Sequence, residues 1–567
     1  MKKQTTQPPD SSPLLNLAHC HPYAILFGVA LLFRLGCGLF FQQPGYTDGY
    51  YYSNVAESLW RGQGFRENYI WNYLARPLPT SPFNNPSSTY WMPFTSILIY
   101  CSYLLIGNTS FLVSQLPNIF ISAALVPLTY YVAKDIIGGA RGEYYGWMSA
   151  GLMLFCGIYA PYFSLPDNFA PFALVTLFSL LFTYKALRLP PTEKRRGRWL
   201  MAGAGLCIGL SYLTRVDGVF LLGVVLLSFL VNRFLLRRES GLDWLALGLM
   251  ALTFGLTLLP WLSRNLTDTG QLFPGGGLKT LFLREYDDFF SYTKPLDLPY
   301  YLNQTDLSPT WGIGPLLGSK LDALFQNLLL VGRGTLFFMA PLFLLGFFSR
   351  NFQSDTSASN IKPLFLGLQA EFLPFTIYLV TLYLAMSLVF TFPSTRGSVF
   401  HSSGGLLPFL YLVILAGLDR FIAWLGTISR PKAGLARRRT YSLMILAAAL
   451  IMSVSFTFGL ANGWNRDYSE LKLVGAWLSE NGVADALVMA PDVPAYYYVN
   501  HRPAIVITNE PLPVNLELAR RYGARYFILQ PNHAPASLAE LFAKKTAPGF
   551  RLVAELGEVQ LYRLEGL

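Results

Sequence analysis

The sequence predicts a polytopic α-helical membrane protein of about 11–13 spans with a small C-terminal α/β domain. Three observations carry this. Of 567 residues, 53% are hydrophobic and only 13% charged, where a soluble chain carries about 25%. Several apolar runs approach the ~20 residues that cross a bilayer. After Gly463 the composition changes to that of a soluble domain.

The expected spans are 23–41, 111–133, 144–163, 168–186, 199–214, 217–234, 243–261, 334–349, 372–392, 404–424 and 441–460. Residues 1–22 form an N-terminal tail, with no small-residue cleavage signature after the first run, which is read as a retained span. The run 91–106 is expected to lie in the interface, because Pro93 and the aromatic belt of Tyr90, Trp91, Tyr100 and Tyr103 suit such a helix. With that choice the basic clusters at 185–198, 233–238 and 430–439 share one side, as the positive-inside rule requires. The N terminus is then cytoplasmic. Loops 42–110 and 262–333 and the domain 463–567 are extracytoplasmic, and a plasma (inner) membrane fits. The formal net charge of +11 sits largely in short loops beside spans, so nucleic acid is not implied.

The five cysteines (20, 37, 101, 156 and 207) have no metal-ligand spacing. In the C-terminal segment, 486–490, 504–508 and 526–529 read as strands, and 469–481, 514–523 and 537–545 as helices. No GxGxxG or P-loop follows a strand, so nothing supports a nucleotide site.

The chemistry-bearing residues lie at span ends. Asp48 follows the first span in an aromatic loop, where a charge near a bilayer tends to be functional. It is a candidate general base or divalent-cation ligand. Glu57, nine residues on, would not pair with it on a helix. Asp167, after Pro166, is a helix cap or a second acid of the same site. Arg215 and Asp217 either neutralise each other or leave Arg215 for a lipid phosphate. Arg264, Arg396 and His401 fall on the same face, and Lys279 follows the glycine run 275–277 of the long second loop. Arg34 sits inside the first span and requires a carbonyl or acid partner.

In this order the residues resemble the GT-C superfamily of integral-membrane glycosyltransferases, nearest to the protein O-mannosyltransferase and aminoarabinose-transferase type. The shared pattern is the first-loop acid Asp48, then Tyr90-Trp91-Met92-Pro93, the turn Pro166-Asp167, Arg215-x-Asp217-Gly218 and Pro260-Trp261-x-x-Arg264-Asn265, over about residues 20–420. The resemblance implies a polyprenyl-phosphate-linked sugar donor used on the extracytoplasmic face. It implies Asp48 as the catalytic acid residue of the first loop; Asp167 is the second candidate acid, and the two are candidate ligands for a divalent cation (Mg or Mn). The resemblance also implies that basic residues near Arg264, Arg396 and His401 hold the lipid phosphate; Arg215, Asp217 and Lys279 are the further substrate or phosphate candidates that the residues themselves offer. The first loop has Asp48-Gly49 where the mannosyltransferases have paired Asp-Glu. The acceptor, whether protein, lipid or glycan, stays open. The competing classes are a transporter or flippase of a lipid-linked saccharide and a non-catalytic scaffold. Transporters tend to show internal repeats and broken midplane helices, whereas here no repeat is seen and the polar residues cluster at span ends.

Overall fold

A computed structural model describes residues 21–75, 78–274, 276–302, 311–334, 339–349, 366–428, 434–531 and 536–567. The expected tail 1–20, Cys20, Gly275, Arg430 and Lys432 lie outside the described residues.

Six described helices are long and apolar enough to cross a membrane: Phe111–Ile137, Phe169–Arg188, Val216–Leu235, Trp244–Thr269, Thr391–Thr427 and Arg438–Glu480. Pro22–Gly38, Phe94–Ile106 and Leu373–Leu388 are shorter apolar helices. The chain is a multi-pass membrane protein. Phe94–Ile106 has 13 residues, about 20 Å at 1.5 Å per residue, too short for a ~30 Å hydrocarbon core. The run expected at 144–163 is not one rod. Gly139–Phe155 ends at Cys156, whose φ is 25°, and the chain resumes as the single turn Tyr159–Tyr162. This break lets the segment curl into the turn that carries Asp167.

One end of the bundle is tied by ion pairs between basic loops and a few acids. Asp135 meets Lys185 at 3.7 Å and Arg188 at 3.3 Å, and Arg188 also reaches Glu371 at 3.3 Å. Asp419 meets Arg141 at 2.9 Å and Arg438 at 3.0 Å. Such partly exposed pairs add little stability singly, but they place these loops on one side together, as the charge pattern anticipates. Arg34 is fully buried and donates to the Met153 carbonyl at 3.0 Å, the kind of partner a span arginine requires.

The helix Gly434–Glu480 runs without interruption through the expected domain boundary at 463. The change of composition there marks a change of surroundings, not the end of a helix. Beyond it lies a mixed seven-stranded sheet. Its strands are β2 (Tyr69–Ile70), β4 (Val488–Ala490), β5 (Ala504–Val506), β6 (Tyr526–Leu529), β7 (Thr546–Ala547), β8 (Phe550–Leu556) and β9 (Val559–Leu564), in the order β2-β5-β4-β6-β9-β8-β7. The strands β4, β5 and β6 sit where the sequence expects them. The β8–β9 hairpin turns at Gly557, whose φ of 66° suits glycine. Strand β2 comes from the first loop and pairs in parallel with β5, Tyr69 opposite Ala504 and Ile70 opposite Ile505. A short antiparallel pair, β1 (Arg66–Glu67) with β3 (Asn85–Pro86), lies beside it. The loop's Tyr51, Tyr69, Trp71 and Tyr73 share one apolar core with Met489, Ile505 and Phe527. The first loop and the C-terminal segment thus fold as one layer.

Candidate active site

Asp48 is the second residue of the helix Thr47–Trp60, where the helix dipole favours an acid. The chain doubles back immediately before it. A Cβ on Gly49 would stand 2.2 Å from the Pro44 carbonyl oxygen, so only glycine lets the loop close this tightly. Glu57 lies on the same helix and pairs with Arg61 at 2.5 Å, away from Asp48.

Asp167 sits in the turn before the helix Phe169–Arg188. That turn is buried, so its carbonyls need partners. Gln115, Asn118 and Ser122 supply them from one face of the helix Phe111–Ile137. Gln115 donates to Ser164 at 3.0 Å, Asn118 to Asp167 at 2.6 Å and Ser122 to Phe163 at 2.9 Å. With its backbone so fixed, the Asp167 carboxylate accepts the Asn168 N–H at 2.5 Å and the Tyr46 hydroxyl.

His401 lies on the short helix Val399–Ser403. Its ring stacks on Phe169 with centroids 3.9 Å apart, and its Nδ1 is 2.7 Å from the Asn168 side-chain oxygen. Asn168 donates its amide N–H to Tyr52 at 2.9 Å, so the amide oxygen faces the imidazole and Nδ1 carries the proton. Nε2, 3.4 Å from the Tyr46 hydroxyl, faces the acids, the arrangement by which ligand histidines are oriented.

Ligand atoms of Asp48, Asp167 and His401 all lie within 4.8 Å of one another. Burial pushes the Asp48 carboxyl well above the usual range, the Asp167 charge pushes it further, and Arg215 opposes. Burial also raises Asp167, against the hydrogen bonds from Tyr46 and Asn168. Two converging carboxylates and an imidazole nitrogen are a donor set that suits a small divalent cation.

Arg215 stands beside this cluster. Its Nε donates to Asp217 at 3.1 Å. Burial works against its charge, but Asp217, Tyr52 and Asp48 hold it protonated. The other Asp217 oxygen accepts the Ser402 hydroxyl, which locks the Arg215 turn to the His401 helix. The charges of the pair meet, and Asp217 takes the Nε edge of the guanidinium. Arg396 lies 4.8 Å over the Tyr286 ring, whose hydroxyl is pushed up by burial and by the Asp48 charge.

Arg264 lies elsewhere. It donates to the Phe65 carbonyl at 2.9 Å, pairs with Asp268 at 3.0 Å and sits 4.7 Å over Trp261. It fastens the first loop to its helix, near Glu67. Lys279 is on the 3-10 turn Gly277–Phe282, partly exposed.

Sequence reasoning left out Tyr46, Asn168 and Trp91. Trp91 lies beside Asp48 and opposes the upward push on its carboxyl, and it stacks on Trp71 at 3.8 Å. Its place in Tyr90-Trp91-Met92-Pro93 was the one signal available.

No protein-family model and no curated protein matches the sequence. Solved structures do match. ArnT from Cupriavidus metallidurans bound to undecaprenyl phosphate aligns over 96% of this chain and 98% of its own, with TM-score 0.55 and 13% identity. The Archaeoglobus fulgidus oligosaccharyltransferase in complex with Zn and sulfate aligns over 89% of this chain and 67% of its own, with TM-score 0.53 and 15% identity. The same organism's AglB, with an inhibitory peptide and a dolichol-phosphate, aligns over 90% and 69%, with TM-score 0.50 and 14% identity. The chain therefore shares the polytopic helical fold of ArnT and of the archaeal oligosaccharyltransferase.

Proposed function

We propose that this protein transfers a sugar from a polyprenyl-phosphate-linked donor to an acceptor hydroxyl or amine on the extracytoplasmic face. The observation that carries the reading is the convergence of Asp48, Asp167 and His401 within 4.8 Å, beside a half-buried Arg215. The neighbours bound to undecaprenyl phosphate and dolichol-phosphate support the donor class.

In this reading the acceptor attacks the anomeric carbon as its bond to the phosphate oxygen breaks. The acceptor proton passes to the Asp48 carboxylate, the general base of this reading. Polyprenyl phosphate leaves, and Arg215, with Arg396, stabilises its charge. Asp48, Asp167 and the His401 Nε2 are the residues that would hold a divalent cation, and such an ion supplies charge to polarise the reacting groups. His401 is thereby assigned to the acids and not to the lipid phosphate. Asn168 keeps the His401 tautomer. Of the remaining sequence candidates, Arg264 fastens the first loop through the Phe65 carbonyl, and Lys279 lies on the second loop. The N terminus is cytoplasmic and the C-terminal layer extracytoplasmic in a plasma membrane.

The test is release of polyprenyl phosphate from a panel of polyprenyl-phosphate sugars by the full chain in nanodiscs, with and without Mg, Mn or Zn. Sugar-dependent release supports the proposal. Energy-independent movement of intact donor across the bilayer without release overturns it in favour of a flippase.

A further inference from the structure

Three consecutive side chains at the start of the first-loop helix go to three different places. Tyr46 donates to Asp167, and Asp48 joins the acid cluster. Thr47, between them, donates its hydroxyl to Asp492 of the C-terminal segment at 2.7 Å. The Asp492 carboxylate is buried, 7% exposed, and its second oxygen accepts the Ala495 N–H at 3.1 Å, capping the helix Val493–Asn500. A second bond runs parallel to the first: Asn54, two turns along the first-loop helix, donates to the Pro494 carbonyl at 2.9 Å. Tyr50 packs on Tyr498 with centroids 5.3 Å apart. The C-terminal segment therefore grips one side of the helix that presents Asp48, at the residue adjacent to it.

We propose that Asp492 is a positioning residue for sugar transfer, and that the C-terminal segment completes the active site by pinning Thr47. The inference rests on the proposed transferase reading. Without the pin the first turn of the helix loses its hold at the residue next to Asp48, and Asp48 shifts from the acceptor. A misplacement of about 1 Å costs on the order of 100-fold in rate. Substrate is bound by other groups, so the effect falls on kcat.

The test uses the full chain. Asp492→Ser keeps a capping oxygen for Ala495 but is too short to reach Thr47, and Thr47→Val removes the hydroxyl at constant shape. Each is expected to lower kcat about 10- to 100-fold, with donor KM within about twofold and unchanged thermal unfolding. The double variant is expected to lose no more than either alone, as coupled partners do, and Thr47→Ser to recover the rate. Equal kcat in wild type and Thr47→Val, or additive losses, would overturn the inference. A wild type that releases no polyprenyl phosphate from any donor would instead overturn the transferase reading.

Discussion

Gly49→Ala tests how tightly the site is built. The added methyl would lie 2.2 Å from the Pro44 carbonyl oxygen and 3.1 Å from its carbon, whereas real Cβ atoms essentially never come under 3.0 Å. Both partners are backbone, so no rotamer can relieve the clash. The strand of loop at Pro44 and the helix start at Asp48 must part by roughly 0.8 Å, at an overpacking cost of about 1–3 kcal/mol. That shift is delivered to the residue next to Asp48, so kcat is expected to fall about 30- to 100-fold. The assay is sugar transfer in nanodiscs with thermal unfolding measured in parallel. Gly36→Ala is the control: its Cβ meets nothing within 4 Å, and alanine suits a helix better by about 1 kcal/mol. Gly49→Ala with kcat within twofold of wild type would refute the reasoning.

Three further outcomes are expected. Asn168→Ala removes the acceptor that fixes the His401 tautomer, so cation affinity by calorimetry should fall about 10- to 100-fold, while Asn168→Asp should retain much of it. Arg215→Lys keeps the charge but loses the planar second edge. Donor KM should rise about tenfold, as expected for a lost charge-assisted hydrogen bond. Glu67 is pushed up to about 8 by burial, against the Tyr51 hydroxyl and Arg264. The folded state therefore holds that proton where the unfolded chain, near the usual glutamate value, has released it. Its stabilising contribution is full below about pH 4.3 and is lost as pH rises through about 8. Thermal unfolding of wild type should thus fall relative to Glu67→Gln across that window, and a parallel pair of curves would contradict the burial.

The helices were legible because a bilayer demands continuous apolar runs, and the ion pairs at Asp135 and Asp419 follow from the same charge bias that orients loops. Asp48 and Asp167 were legible as acids at span ends. That they meet at His401 was not, since 234 residues separate Asp167 from it and only the packing of the Val399–Ser403 helix on Phe169 closes the gap. Arg264 shows the converse. An outer-face arginine looks unpartnered in sequence, yet the Phe65 carbonyl and Asp268 satisfy it. The two-residue strand β2 carries no periodic signal and gains its partner from β5, more than 400 residues on. Helix continuity through 463 was hidden because residues on either side of the membrane surface are equally good helix formers.

The most direct measurement compares wild type with Asp48→Asn for sugar transfer from polyprenyl-phosphate donors in nanodiscs. The substitution keeps shape and hydrogen bonding but can neither take a proton nor carry charge. Transfer by wild type alone, with both proteins equally folded, is the predicted result. Equal transfer by both would contradict the assignment of Asp48 to the chemistry.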